Sequence, residues 1–263
     1  GCLPIGTVLT IAAAGSEMSQ SSVITNEDGW VKRGYSSNYC RPVFAVMDPE
    51  LTMTLPSYQT ACGCVDILMH TMERYFNHSG SMEITDGIAE ALMQTVIRNA
   101  PIVMQRPDDY NARAEIMWAG SLSHNGLTDC GCDHGDWATH KMEHELGGLF
   151  DVAHGAGLAA IWGSWARYVC DADYARFARF ATKVLNVAPQ ATDQETALAG
   201  IAAMEQFYRS IQMPTSLREL GVSPTEEQIQ EMARKCILAT KGPAGKVKPL
   251  QQNDVENIYR AAL

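Results

Sequence analysis

The sequence predicts a short α/β piece followed by an all-helical domain, mainly α overall. Three observations carry this. Turn-bounded apolar runs are confined to about the first 50 of 263 residues. After Pro56 the apolar residues recur at helical spacing almost to the C-terminus. No glycine-rich phosphate loop follows any of the early runs, so a complete nucleotide-binding domain of several βαβ units does not fit.

Within residues 1–55, Val8–Ala13 and Val43–Met47 are apolar runs read as strands, the second as one buried on both faces and stopped by Asp48-Pro49. Between them, Val23-Ile24-Thr25 and Trp30–Tyr35 flank the turn signal Asn26-Glu27-Asp28-Gly29, which predicts a hairpin. Within 56–263, Thr54-Leu55-Pro56 starts a helix whose apolar side is Ala61, Val65, Leu68, Met69, Met72 and Phe76. Further helices are predicted over 82–104, 110–127, 137–149, 155–169 and 172–185. Ser223-Pro224-Thr225-Glu226 opens another near 224, and the last runs over 254–262.

Composition narrows the function. Thirty acidic against twenty basic side chains give a formal charge of −10, a poor match to nucleic acid or an anionic membrane. No apolar run reaches the roughly 18 residues of a spanning helix, and Val8–Ala14 lacks the positive segment of a signal peptide. Eight cysteines are too few for a disulfide scaffold, so reduced thiols in a cytoplasm are expected.

Four of the seven histidines, His134, His140, His144 and His154, fall close together. His140 and His144 are four apart and share a helix face, as do Asp66 and His70. His154 precedes Gly155 at the start of the next helix. One carboxylate and two or three imidazoles suit Fe, Zn, Ni or Co better than hard, oxygen-loving ions. Cys62-Gly63-Cys64 and Cys130-Gly131-Cys132 have single-residue spacing, unlike structural zinc sites, and read as buried or loop cysteines. Residues 140–144 also spell H-x-x-E-H, a zinc metallopeptidase signature, with Glu143 as base and Glu219 as a distant ligand. A helical module with an adventitious metal site is the non-enzymatic alternative.

Three segments together resemble the iron-containing alcohol dehydrogenase family, and within it the butanol dehydrogenase-like group. They are 9–17 (Leu-Thr-Ile-Ala-Ala-Ala-Gly-Ser-Glu), 63–73 with Asp66 and His70, and 136–155 with His140, His144 and His154. The resemblance implies a Rossmann-like domain followed by an all-α domain, the dehydroquinate synthase-like architecture, with cofactor and metal in the cleft between them. It implies Asp66, His70, His140 and His154 as metal ligands and His144 as a proton relay. Thr10, Gly15, Ser16, Lys32 and Leu51 match positions that contact NAD or NADP. The expected activity is hydride transfer between NAD(P)H and a small alcohol or aldehyde, by a cytoplasmic homodimer with iron or, alternatively, zinc, nickel or cobalt. The family's G-G-G-S pyrophosphate loop lies upstream of Gly1-Cys2. The chain is therefore expected to start at an internal boundary and to bind dinucleotide weakly.

Overall fold

The structure is a computed structural model and describes residues 2–77 and 82–263; Gly1 of the expected boundary lies outside them. Four short strands come first: β1 (Gly6–Val8), β2 (Ser21–Asn26), β3 (Val31–Ser36) and β4 (Phe44–Val46). The predicted hairpin is β2–β3, antiparallel with Ser21 opposite Ser36 and Asn26 opposite Val31. Gly29 at φ +81° supplies the left-handed residue its turn requires.

The other two strands differ from expectation. The run at Val8–Ala13 leaves the ladder after Val8, and β1 pairs in parallel with β4, Val8 opposite Val46. The segment read as a strand buried on both faces is open instead: Val43 is 69% and Phe44 63% exposed. The reason is that β4 pairs along one edge only, and no helical layer covers this two-stranded sheet among the described residues.

Nine helices follow among the described residues: α1 (Ser57–Tyr75), α2 (Glu83–Gln105), α3 (Tyr110–His124), α4 (Ala138–Phe150), α5 (His154–Val169), α6 (Tyr174–Lys183), α7 (Asp193–Ser210), α8 (Glu226–Thr240) and α9 (Gln252–Ala261). α7 has no counterpart in the sequence reading, although Thr192 and Glu195 form a full capping box at its start. The mostly helical architecture itself is as expected.

α1 is the central rod, buried along all but its first turn. It packs on α2, α3 and α5. At its C-terminal end Phe76 stacks on Phe177 at 4.3 Å and meets Trp165 edge-on at 5.9 Å. The start of α5 fits against α1 only because residue 155 is glycine. A Cβ there would lie 2.1 Å from the carbonyl oxygen of Cys62. This close approach brings His154 to the side of α1 that carries Asp66.

Candidate metal centre

Asp66 and His70 lie one turn apart on α1, His140 and His144 one turn apart on α4, and His154 is the first residue of α5. Asp66 Oδ1 is the focus: Nε2 of His70 lies 3.7 Å from it, Nε2 of His140 3.7 Å and Nε2 of His154 3.6 Å. These are too long for hydrogen bonds. Donors held 2.0–2.2 Å from one tetrahedral cation stand about 3.4 Å apart. Asp66 Oδ1 and His140 Nε2 are buried without a hydrogen-bond partner, as is Nδ1 of His70. An aspartate oxygen with three imidazole nitrogens 3.6–3.7 Å from it, and buried donor atoms left unsatisfied, fits a divalent transition metal. The donor atoms of Asp66, His140 and His154 lie within 4.8 Å of one another; His70 joins through the shared oxygen.

Two glutamates support the ring nitrogens that face away. His140 donates to Glu73 Oε1 through Nδ1 at 2.9 Å and through its backbone N–H at 3.0 Å. His154 Nδ1 is hydrogen-bonded to Glu143 Oε2, and Lys32 Nζ on β3 lies 3.2 Å from the same oxygen. Each glutamate thus turns an imidazole so that Nε2 faces Asp66, the arrangement that orients ligands at metal sites.

The electrostatics follow from this crowding. Burial works against the Asp66 carboxylate, yet the histidines around it hold its pKa well below the usual range. Burial also disfavours imidazolium at His140, but the carboxylates of Asp66 and Glu73 push it up to about 9. His144 is pulled down to about 2 by burial, then by His140, His154 and the nearby lysines. Its ring lies 5.8 Å from that of His154 and 6.4 Å from that of His140, beside the centre.

A cavity of about 830 Å³ opens onto the centre, lined by Asp66, His70, His140, His144 and His154 and, from the hairpin side, by Ser16, Lys32 and Gly34. Of the predicted cofactor contacts, Ser16 and Lys32 line it. Gly15 is left-handed (φ +62°) and packed so tightly that a Cβ would lie 2.7 Å from the Gly120 carbonyl oxygen. Thr10 and Leu51 are exposed and outside the lining. His134, counted with the histidine cluster, points outward beside Asp129. The eight cysteines are unpaired; Cys62 and Cys64 are buried in α1, and Cys130 is exposed in a loop.

The peptidase alternative is corrected by the same geometry. Glu143 is occupied by His154 and Lys32 instead of facing a water-binding site. Glu219 accepts from the backbone and hydroxyl of Thr215, in a turn after α7. Sequence reasoning missed Glu73, Arg74, His124 and Trp137. Glu73 and Arg74 are one turn beyond His70 and two turns beyond Asp66, a spacing that signals them; His124 arrives on α3 with no local signal.

Comparison with known proteins agrees with this architecture. Residues 60–263 match the profile of the Fe-containing alcohol dehydrogenase family, C-terminal, and residues 1–49 that of iron-containing alcohol dehydrogenase. NADH-dependent butanol dehydrogenase A of Clostridium acetobutylicum is 38% identical over 259 residues, 98% of this chain and 66% of that protein. NADPH-dependent aldehyde reductase YqhD of Escherichia coli is 36% identical over 220 residues, 84% of this chain and 56% of that protein. The crystal structure of NADH-dependent butanol dehydrogenase A from Thermotoga maritima superposes with a TM-score of 0.93 at 36% identity, covering 99% of this chain and 66% of that one. The chain thus spans just under two thirds of the length of the curated butanol dehydrogenase it matches. With both profiles and a shared fold behind it, the chain belongs to the iron-containing alcohol dehydrogenase family.

Proposed function

We propose that this chain carries the metal centre of an alcohol dehydrogenase or aldehyde reductase that moves hydride between NADH or NADPH and a small aliphatic carbonyl. The observation that carries this is the convergence of three Nε2 atoms on Asp66 Oδ1 at 3.6–3.7 Å, beside a cavity open to the hairpin. Residues 1–55 are assigned to the cofactor side and 56–263 to the metal side.

Asp66, His70, His140 and His154 would hold the metal. Iron is the first choice, and zinc, nickel and cobalt suit the same donors. When bound, the cation supplies Lewis acidity towards the carbonyl, and the nicotinamide supplies the hydride. Glu73 and Glu143 keep His140 and His154 turned towards Asp66. Lys32 offsets the charge of Glu143 and reaches the cavity from the side where Gly15 and Ser16 would meet the cofactor. His144 is kept uncharged by its burial, so it would pass a proton between the substrate oxygen and water only with one ring nitrogen releasing as the other accepts. Trp137, whose ring lies 5.0 Å from that of His140, shields the centre.

Unpaired cysteines suit a reducing, cytoplasmic compartment, and a homodimer is the assembly this reading implies. No helix among the described residues is long and apolar enough to cross a membrane.

The test is NAD(P)H oxidation with butanal before and after chelation, then after adding back Fe(II) or Zn(II). Activity should disappear with the metal and return with it. Turnover that survives complete metal removal would overturn the proposal.

A further inference from the structure

The segment 125–137, which joins α3 to α4, carries a thiol pair that the proposed reaction does not use, Cys130 and Cys132. Asp129, Cys130, Gly131 and Cys132 form one tight turn. Cys130 has φ −66° and ψ 119°, Gly131 has φ +77°, and the Cys132 N–H donates to the Asp129 carbonyl at 3.1 Å. This is a type II turn, whose third residue is left-handed and is best supplied by glycine. Two virtual bonds of about 3.8 Å meeting near a right angle set the Cα atoms of the two cysteines about 5.4 Å apart. That spacing is one a disulfide spans.

The two thiols differ in a way that suits stepwise oxidation. Cys130 is exposed, with Sγ 3.5 Å from the Gly126 carbonyl oxygen of its own loop. Cys132 is half-buried, with Sγ 3.4 Å from the Arg74 carbonyl oxygen at the end of α1. Burial and the neighbouring Asp129 push its thiol up. The outer thiol therefore meets an oxidant first, while the inner one is held protonated beside it. With the backbone already at disulfide spacing, rotation of the side chains brings the sulfurs together. Neither thiol belongs to a group of three close metal-ligating side chains among the described residues, so a preformed metal site does not account for the pair.

We propose that Cys130 and Cys132 are a site of reversible oxidative modification, closed by hydrogen peroxide to a disulfide across Gly131 and reopened by a small thiol such as glutathione. The Cys130 thiolate attacks one peroxide oxygen; an S–O bond forms, the O–O bond breaks, and the leaving oxygen takes a proton to become water. The Cys132 sulfur then attacks the sulfenic sulfur; an S–S bond forms, the S–O bond breaks, and a second water leaves with the remaining protons. The two thiols lose two electrons and the peroxide gains them. A resolving thiol beside a sulfenic acid intercepts it before it oxidises further. An exposed disulfide closed over a single residue is of the readily reduced kind.

The test loads the protein with zinc, which has no redox chemistry of its own, and treats it with hydrogen peroxide and then a maleimide. Tryptic peptide 114–141 holds these two cysteines and no other. In most molecules it should emerge unalkylated and lighter by two hydrogens. Glutathione added once the peroxide is removed should restore two alkylated thiols. In Cys132→Ser, dimedone should capture several-fold more sulfenic acid on Cys130 than in the wild type. Both wild-type thiols still alkylated after peroxide would overturn the proposal. So would a disulfide between other cysteines instead, such as Cys2 and Cys40, or wild-type oxidation that runs on to sulfinic acid. The wild-type peptide decides the matter by itself, so the outcome does not depend on how the variant folds.

Discussion

Glu143 on α4 is hydrogen-bonded to Nδ1 of His154, the residue that opens α5, and ion-paired with Lys32 of the hairpin at 3.2 Å. One carboxylate therefore ties together the three chain segments that meet at the candidate metal centre. The prediction is that Glu143→Gln weakens metal affinity by about 10- to 100-fold, the usual effect of removing a partner that orients a ligand. Competition with a chromophoric chelator measures it. Under the peptidase alternative the same variant would keep full metal affinity.

Gly155→Ala places a methyl group 2.1 Å from the Cys62 carbonyl oxygen, a backbone atom that cannot move without moving α1. Overpacking of this kind costs about 1–3 kcal/mol. Urea unfolding should show that loss, and metal affinity should fall with it because His154 is the neighbouring residue. An unchanged unfolding midpoint would mean that α5 is not held against α1 as described.

Asp136 gives a pH signature. It is buried and accepts from the backbone N–H groups of Ala138 (3.0 Å), Lys246 (2.6 Å) and Val247 (2.8 Å). Burial and the neighbouring Glu73 nevertheless raise its carboxyl to about 6. A carboxyl whose pKa is higher in the folded chain favours folding when protonated. Its contribution is complete below the unfolded value near 4 and is lost as pH rises through about 6. The loss is on the order of 3 kcal/mol at one pKa unit per 1.36 kcal/mol. Denaturant midpoints of the wild type should fall across this window relative to those of Asp136→Asn, which has no proton to lose. Parallel pH profiles would refute the assignment.

How much of this was legible in the sequence follows from which contacts are local. Asp66 with His70, and His140 with His144, are legible because a helix fixes residues four apart on one face whatever the tertiary fold. The hairpin β2–β3 is legible because its turn residues set its register. Glu73 with His140, 67 residues apart, and Arg74 with His124, 50 apart, meet only through the tertiary fold, which brings α3 onto α1 and the start of α4 beside it. The same limit explains the misreading of Glu143: within H-x-x-E-H it looks free to act as a base, and only the placement of α5 and β3 reveals its partners. Val43–Met47 misleads for a related reason, since an apolar run reports a capacity for burial and not what covers it.

The central claim is that one aspartate and three histidines share a metal. The most direct measurement is X-ray absorption on the metal-loaded chain, compared with Asp66→Asn. The account predicts a first shell of nitrogen and oxygen at about 2.0–2.2 Å, an imidazole signature, and bound metal that drops sharply in the variant. Sulfur in the first shell, or full metal occupancy in Asp66→Asn, would contradict it.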